Sequence, residues 1–311
     1  VCSMFMFSSC LDEYVDLNTN PEVMGNADPV NVFAGATQNY NNCSRGHLTG
    51  LYSGVMRYMQ YVVSDGGPSN IYIKMSDDAS RTSPSNLAYS YYYSTFGLRL
   101  DNLINTNIPG QENPEKYNDV KAIAQILLNH QQWTVLDCLG AAPITEAFKN
   151  NQGIKTPRYD LYQESVREDR MPMYKVLDAE VKAAVALLKQ SNSEQVNLGN
   201  NDFFYNGDVQ KWIKFGNTLR VKMAQRVEKR DAAFYESVIS EVLSSASNVI
   251  DSNDASCIYW HPNDYNNNKD DIQDITGRYV AAAAFVNYLE AYNDPRLPLL
   301  IRPNGFGLKN N

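Results

Sequence analysis

Helical periodicity recurs along this chain and restricts the folds that it can adopt. Apolar residues follow one another at steps of three or four, the spacing that places them on one face of an α-helix. Segments with this spacing lie at residues 48–62, 87–104, 117–136, 174–188, 212–227, 232–246 and 276–292. Alternation typical of strands is confined to residues 71–73 and 256–260. The sequence therefore predicts a mostly α fold.

The positions of proline and of helix-capping residues add to this prediction. No proline lies between Pro172 and Pro262, which leaves room for long helices. Pro172 suits a first helical turn, and Asp208 can cap a helix that starts just after it. The alternation of helix and loop suggests stacked helical hairpins, without a strict tetratricopeptide signature. The apolar residues of 212–219 are expected in the core.

Charge and motif content exclude several classes of function. The net charge is −8 and no block of Lys or Arg occurs, which argues against a nucleic-acid partner because such binding needs clustered basic side chains. Past the first ten residues, no run approaches the ~20 apolar residues of a membrane-spanning helix. The three His and five Cys lack the spacing of a zinc site or a disulfide framework. No cofactor is expected.

The N-terminal stretch FMFSSCLDE contains an imperfect lipobox around Cys10. Two small residues precede the cysteine, and Phe7 stands where Leu is usual. Read alone, Cys10 is either an acylated cysteine or a free thiol. Acylation by two chains would give a stable membrane anchor, because a single chain holds only marginally.

Ligand contacts are expected where aromatic side chains stand beside polar ones in irregular segments. A sugar ring can stack its C–H face on Tyr or Trp, while its hydroxyls bond Asp, Asn or Arg. Two segments fit, residues 64–93 and 258–268. The candidate ligand-binding residues are Tyr72, Asp78, Arg81, Tyr91, Tyr259, Trp260 and His261. The alternative is core packing for Tyr92 and, for the others, contact with a partner protein or plain surface.

Two other readings have less support. Residues 264–270 alternate acidic and amide side chains like a calcium loop, but they lack its glycine and its final glutamate. The carboxylates of Asp77 and Asp78 could serve glycoside hydrolysis only if a pair of such groups faced each other across a cleft. A helical glycan-active enzyme is therefore the alternative function.

Five further stretches occur in a characteristic order. They are CLDEYVDLNTNPEV (10–23), DCLGAAPITEAF (137–148), PRYD (157–160), YNGD leading into KWIKFGNTLR (205–220) and DPRLP (294–298). Together they resemble the SusD/RagB family, surface lipoproteins that bind nutrients for TonB-dependent outer-membrane transporters. The chain departs from the family pattern at residues 163–171, which look like extra sequence, and at Cys138.

The resemblance implies a domain order. Residues 1–9 would be the remnant of a lipoprotein signal peptide, and residues 10–45 a lipidated tether with the loop that leads into the domain. Residues 46–311 would form a SusD-like helical domain of tetratricopeptide-like hairpins, truncated at its C-terminus.

The resemblance also implies a role. The protein would be anchored through Cys10 to the outer membrane, face the cell exterior, and capture an oligosaccharide or other small nutrient without catalysis. Its partner would be a SusC-like TonB-dependent transporter. Asp12 and Glu13 fit this location, since acidic residues after the anchor accompany surface display in the family. An unlipidated Cys10 would instead favour a soluble helical scaffold.

Overall fold

The computed structural model describes residues 27–38, 56, 59–64, 89–163, 171–259 and 279–301. Helices dominate this part of the chain, and its strands form two small antiparallel pairs. None of the described helices is both long enough and apolar enough to cross a bilayer. The prediction of a mostly α fold is confirmed.

The described helices are numbered here in chain order. They are α1 (Pro29–Gln38), α2 (Gly97–Asn102), α3 (Asn118–Leu139), α4 (Met173–Leu188), α5 (Val209–Gln225), α6 (Ala232–Val242), α7 (Ala283–Ala291) and α8 (Leu297–Leu300). Helix α2 continues on both sides into π-helical turns, Tyr92–Phe96 and Leu103–Asn107. Turns of this kind are rare and occur often at functional sites.

The core lies between consecutive helices. Helix α3 packs on α4, α4 on α5, and α5 on α6, while α1 and α2 cover another side of α3. Trp212 is completely buried, which confirms its predicted place in the core. A Cβ at Gly216 would lie 2.6 Å from Val185 Cγ2, so the absence of a side chain there lets α5 approach α4 closely. The prediction of stacked helical hairpins is confirmed.

Side chains at the helix starts explain two of the boundaries. Asp208 accepts hydrogen bonds from the backbone N–H groups of Gln210 and Lys211, as predicted for an N-cap. Asp231 accepts one from Phe234 in the same way. These carboxylates satisfy N–H groups that have no partner within the helix.

Residues 29–38 correct the expectation that the segment before residue 46 is mainly tether and loop. They form α1, which starts at Pro29, and Asp28 accepts a hydrogen bond of 3.0 Å from Val30 N. Val30, Phe33 and Ala36 are buried against the core. The residues around this segment are mostly polar, so its short apolar face does not stand out in the sequence.

The strands correct two predicted helix boundaries, and one predicted strand is irregular instead. Strand β1 (Val62–Ser64) pairs with β4 (Tyr279–Ala281), so Val62 does not continue a helix, and α7 begins only at Ala283. Strand β2 (Ala141–Ala142) pairs with β3 (Asp160–Leu161). Residues 256–259, predicted as a strand, are irregular. Pairing partners distant in the sequence decide such short strands, so local alternation is a weak guide.

A buried ion network joins α4, α5 and α6. Arg220 is almost completely buried, and its Nε donates to Asp178 Oδ1 at 2.8 Å while its Nη1 lies 3.1 Å from Glu241 Oε1. Lys182 Nζ contacts the other Glu241 oxygen at 2.8 Å. Because a buried charge is tolerated only when it is paired, these contacts define how the three helices meet.

Candidate ligand-binding site

A buried carboxylate organises the loop that precedes α5. Asp202 Oδ1 accepts hydrogen bonds from Phe204 N at 2.9 Å and Tyr205 N at 3.3 Å. Its Oδ2 accepts from Gly207 N at 3.0 Å and from Trp212 Nε1 at 2.7 Å. Four donors on one side chain fix the conformation of residues 202–207. The loop is thus ordered by hydrogen bonds from its own backbone and from Trp212.

Aromatic side chains of this loop join it to the segment 255–259. Trp212 meets Tyr205 edge to face, with ring centroids 5.1 Å apart, and the Tyr205 hydroxyl donates to Ala255 O at 3.0 Å. Burial raises the pKa of the neighbouring Cys257 thiol to about 12. This cysteine therefore stays protonated at neutral pH and is a poor nucleophile.

Tyr259, one of the predicted ligand residues, rests on this aromatic support. Its ring meets Phe204 at a centroid distance of 5.3 Å and Phe203 at 6.0 Å, and its hydroxyl lies 3.4 Å from Gln38 O at the end of α1. Tyr259 and Phe203 are half-buried, and Ile258 is exposed. Tyr259 is therefore an aromatic residue that packs edge to face against this loop and keeps part of its surface accessible.

Tyr91, the other predicted ligand residue in the described part, lies just before the first π-helical turn. It is half-buried and packs against the main core. The adjacent Tyr92 is fully buried, and its hydroxyl accepts from Gln132 Nε2 at 3.1 Å. The alternative that Tyr92 belongs to the core is therefore confirmed, whereas Tyr91 is only partly buried.

The remaining predicted residues cannot be placed against these two. Tyr72, Asp78, Arg81, Trp260, His261 and the lipidation candidate Cys10 lie outside the described residues. The calcium-like segment 264–270 and the predicted strand 71–73 also lie outside them. These assignments stay predictions. Within the described ranges, no group of three or more His, Cys, Asp or Glu side chains could hold a metal ion.

Phe203, Phe204 and Asp202 were not singled out from the sequence. They occur in the run DFFYNGD, whose four last residues carry part of the family resemblance. The run of aromatic residues between an aspartate and a glycine was a usable signal. In such a run the aspartate carboxylate can accept hydrogen bonds from the backbone of the loop, and the aromatic side chains can pack against one another.

Comparison with known proteins gives this architecture a family. The model of the SusD-like family described as "Starch-binding associating with outer membrane" matches residues 23–311. The chain belongs to this SusD-like family, and the resemblance seen in its motifs is confirmed. None of the curated proteins matches the chain.

Solved structures show the same fold at low identity. A chitin-binding protein is 18% identical, covering 88% of this chain and 54% of its own, with a TM-score of 0.64. A SusD/RagB family protein from Bacteroides thetaiotaomicron is 20% identical over 85% of this chain and 52% of its own, with a TM-score of 0.61. A SusD homologue from Bacteroides vulgatus is 20% identical over 86% and 48%, with a TM-score of 0.58. This chain spans about half the length of these relatives.

Proposed function

We propose that this protein is a cell-surface binding lipoprotein that captures a glycan or other small nutrient and delivers it to a TonB-dependent outer-membrane transporter. The observation that carries the proposal is the family match over residues 23–311, whose description combines starch binding with the outer membrane. The chitin-binding relative with the same fold is consistent with a saccharide ligand. The anchor would be Cys10.

The geometry around Tyr259 suits capture. Its ring meets Phe203 and Phe204 edge to face, and Asp202 accepts hydrogen bonds from the backbone of the loop that carries them. A surface that is already ordered loses little conformational entropy when a ligand binds. The predicted contacts Trp260 and His261 follow Tyr259 directly in the chain.

A glycan panel tests capture against catalysis. The purified protein is incubated with maltooligosaccharides, chitooligosaccharides and other oligosaccharides, while calorimetry follows binding and chromatography follows products. Binding without shorter products supports the proposal, and release of shorter products would make the protein a glycan-active enzyme instead. Tyr259→Phe, which keeps the ring, is the control for Tyr259→Ala, which we expect to bind about fivefold more weakly because one stacked ring is worth about 1 kcal/mol.

Anchoring and partnership need a separate experiment in cells. Mass spectra of the membrane fraction should show acylated Cys10, and the full-length protein should co-purify with a large β-barrel transporter. An unmodified Cys10 would remove the anchor from the proposal. Replacing Asp12 and Glu13 by Ala should leave acylation intact and reduce protease accessibility on whole cells.

A further inference from the structure

A groove with a volume of about 500 Å³ lies between helices α1 and α2. Small-molecule sites in proteins usually have volumes of roughly 300 to 1,000 Å³, so the groove is large enough for a small ligand. The described residues that line it are spaced by three or four along each helix, which places them on one face. They are Val32, Gly35 and Ala36 on α1, and Leu98, Arg99 and Asn102 on α2.

The apolar part of this lining is aliphatic. Ala36 is buried and Val32 half-buried against the main core, while Leu98 is 42% exposed. A Cβ added at Gly35 would meet no atom within 4 Å, so the glycine leaves the groove open on the side of α1. None of the lining residues that the structure describes is aromatic. A hydrocarbon chain suits such walls, because its burial is favourable in proportion to the apolar area removed from water.

Arg99 gives the groove a positive charge. Its Nη1 donates to Gly35 O at 3.0 Å, and this bond holds the guanidinium between the two helices. A guanidinium has five N–H donors, so four remain for other acceptors. Within the described ranges, none of the ion pairs includes Arg99. The groove therefore combines aliphatic walls with a cation that no described carboxylate neutralises.

We propose that this groove binds an aliphatic monocarboxylate, with the carboxylate on Arg99 and Asn102 and the hydrocarbon chain along the aliphatic walls. Arginine recognises carboxylates through paired, charge-assisted hydrogen bonds, and the side-chain amide of Asn102 can donate to the same group. The ligand is a free acid and not an esterified acyl chain, because only the free acid has the negative charge that complements Arg99. This site goes beyond glycan capture, and neither function depends on the other.

A series of ligands measures the contributions of the chain and of the charge. Calorimetry on the purified protein gives dissociation constants for butanoate, hexanoate and octanoate, and the affinity should rise by up to about fourfold for each added CH₂ until the groove is filled. Methyl octanoate has the same chain without the charge and represents an esterified acyl chain. It should bind at least about tenfold more weakly than octanoate, because hydrogen bonds to a charged group are lost. Equal affinities for the ester and the acid would contradict the role of Arg99.

Two substitutions separate the charge from the space. Arg99→Gln removes the charge, so octanoate should bind at least about tenfold more weakly, while methyl octanoate should stay within about twofold of its wild-type affinity because no charge pairs with it. Gly35→Leu places a side chain in the open space beside Gly35 and should weaken the binding of both ligands. Glycine is unfavourable inside a helix, so this variant should still fold, and thermal unfolding verifies that each variant does.

Arg226→Gln is the matched control. Arg226 is also an exposed arginine, but it lies just after α5 and pairs with Asp137 at 2.6 Å. This variant should bind octanoate like the wild type. Unchanged octanoate affinity in folded Arg99→Gln or in folded Gly35→Leu would overturn the inference, as would failure of the wild type to bind any of the three carboxylates. These outcomes leave glycan binding untouched, because the glycan panel tests it separately.

Discussion

Replacing Asp202 by Ala should destabilise the protein more than any exposed carboxylate can. The substitution removes the acceptor of four hydrogen bonds, three from backbone N–H groups and one from Trp212 Nε1. Asp202 is almost completely buried, so these donors would lose their partners inside the protein. At about 1 kcal/mol for each lost bond, the free energy of unfolding should fall by about 4 kcal/mol.

Asp202→Asn should have a smaller effect of the same sign. An amide keeps one acceptor oxygen for two of the donors, but its NH₂ group would face the other two. A loss of about 2 kcal/mol is therefore expected.

Urea denaturation followed by circular dichroism measures these differences. Asp254→Ala is the matched control, because Asp254 also carries a carboxylate but is exposed, with Lys211 Nζ at 3.2 Å. The control should change stability by less than about 0.5 kcal/mol. If Asp202→Ala lost no more than the control, the idea that this carboxylate fixes the loop beneath Tyr259 would be wrong.

Three further predictions follow from the described contacts. Gly207→Ala should lower stability by at least about 2 kcal/mol in urea denaturation, because Gly207 has φ 79° and an added Cβ would lie 2.2 Å from the Asn197 oxygen. The control Gly153→Ala, at a position with φ 87° and open space around it, should lose only about 1 kcal/mol. Equal losses in the two variants would contradict the clash at Gly207. Hydrogen bonding by Arg220 lowers the pKa of Glu241 to about 2, below its value in the unfolded chain. This carboxylate therefore stabilises the fold above about pH 4.3, and its contribution disappears as the pH falls towards 2. Glu241→Gln should flatten that part of the stability–pH curve, and an unchanged curve would contradict the role given to the Arg220–Glu241 pair. Asp208→Ala should lower the unfolding temperature, because the loss of the N-cap reduces the free energy of unfolding by about 1 kcal/mol. Asp208→Asn should keep most of the stability of the wild type, because Asn is also a good N-cap.

Several parts of the site could be read from the sequence because their causes are local. The aromatic character of Tyr91 and Tyr259 made them candidate contacts; both are half-buried and pack against the main core, and Tyr91 lies in a helical turn. Their supports were harder to foresee. Phe203 and Phe204 lie more than fifty residues before Tyr259, and only the packing of the loop on the segment 255–259 brings them beneath its ring.

The tyrosines beside the first π-helical turn show the same division. Tyr89 and Tyr93 are four residues apart, so a helix places them together whatever the rest of the chain does. The Tyr93 hydroxyl also donates to Pro143 O, fifty residues away, in a turn whose backbone N–H groups at residues 144 and 145 donate to Asp160. A buried carboxylate can bond any N–H group that the fold brings near it, and the sequence does not indicate which.

By itself, the sequence determined the helical class, the N-cap at Asp208 and the family, because periodicity, capping and motif order depend on residues close together in the chain. The tertiary structure decided where α1 begins to pack, which strands pair and which rings meet. Those outcomes depend on contacts between segments that are distant in the chain. Such contacts form only when the helices pack around Trp212 and the rest of the core. Strand β1, for example, needs β4 as its partner, and nothing within residues 62–64 specifies that partner.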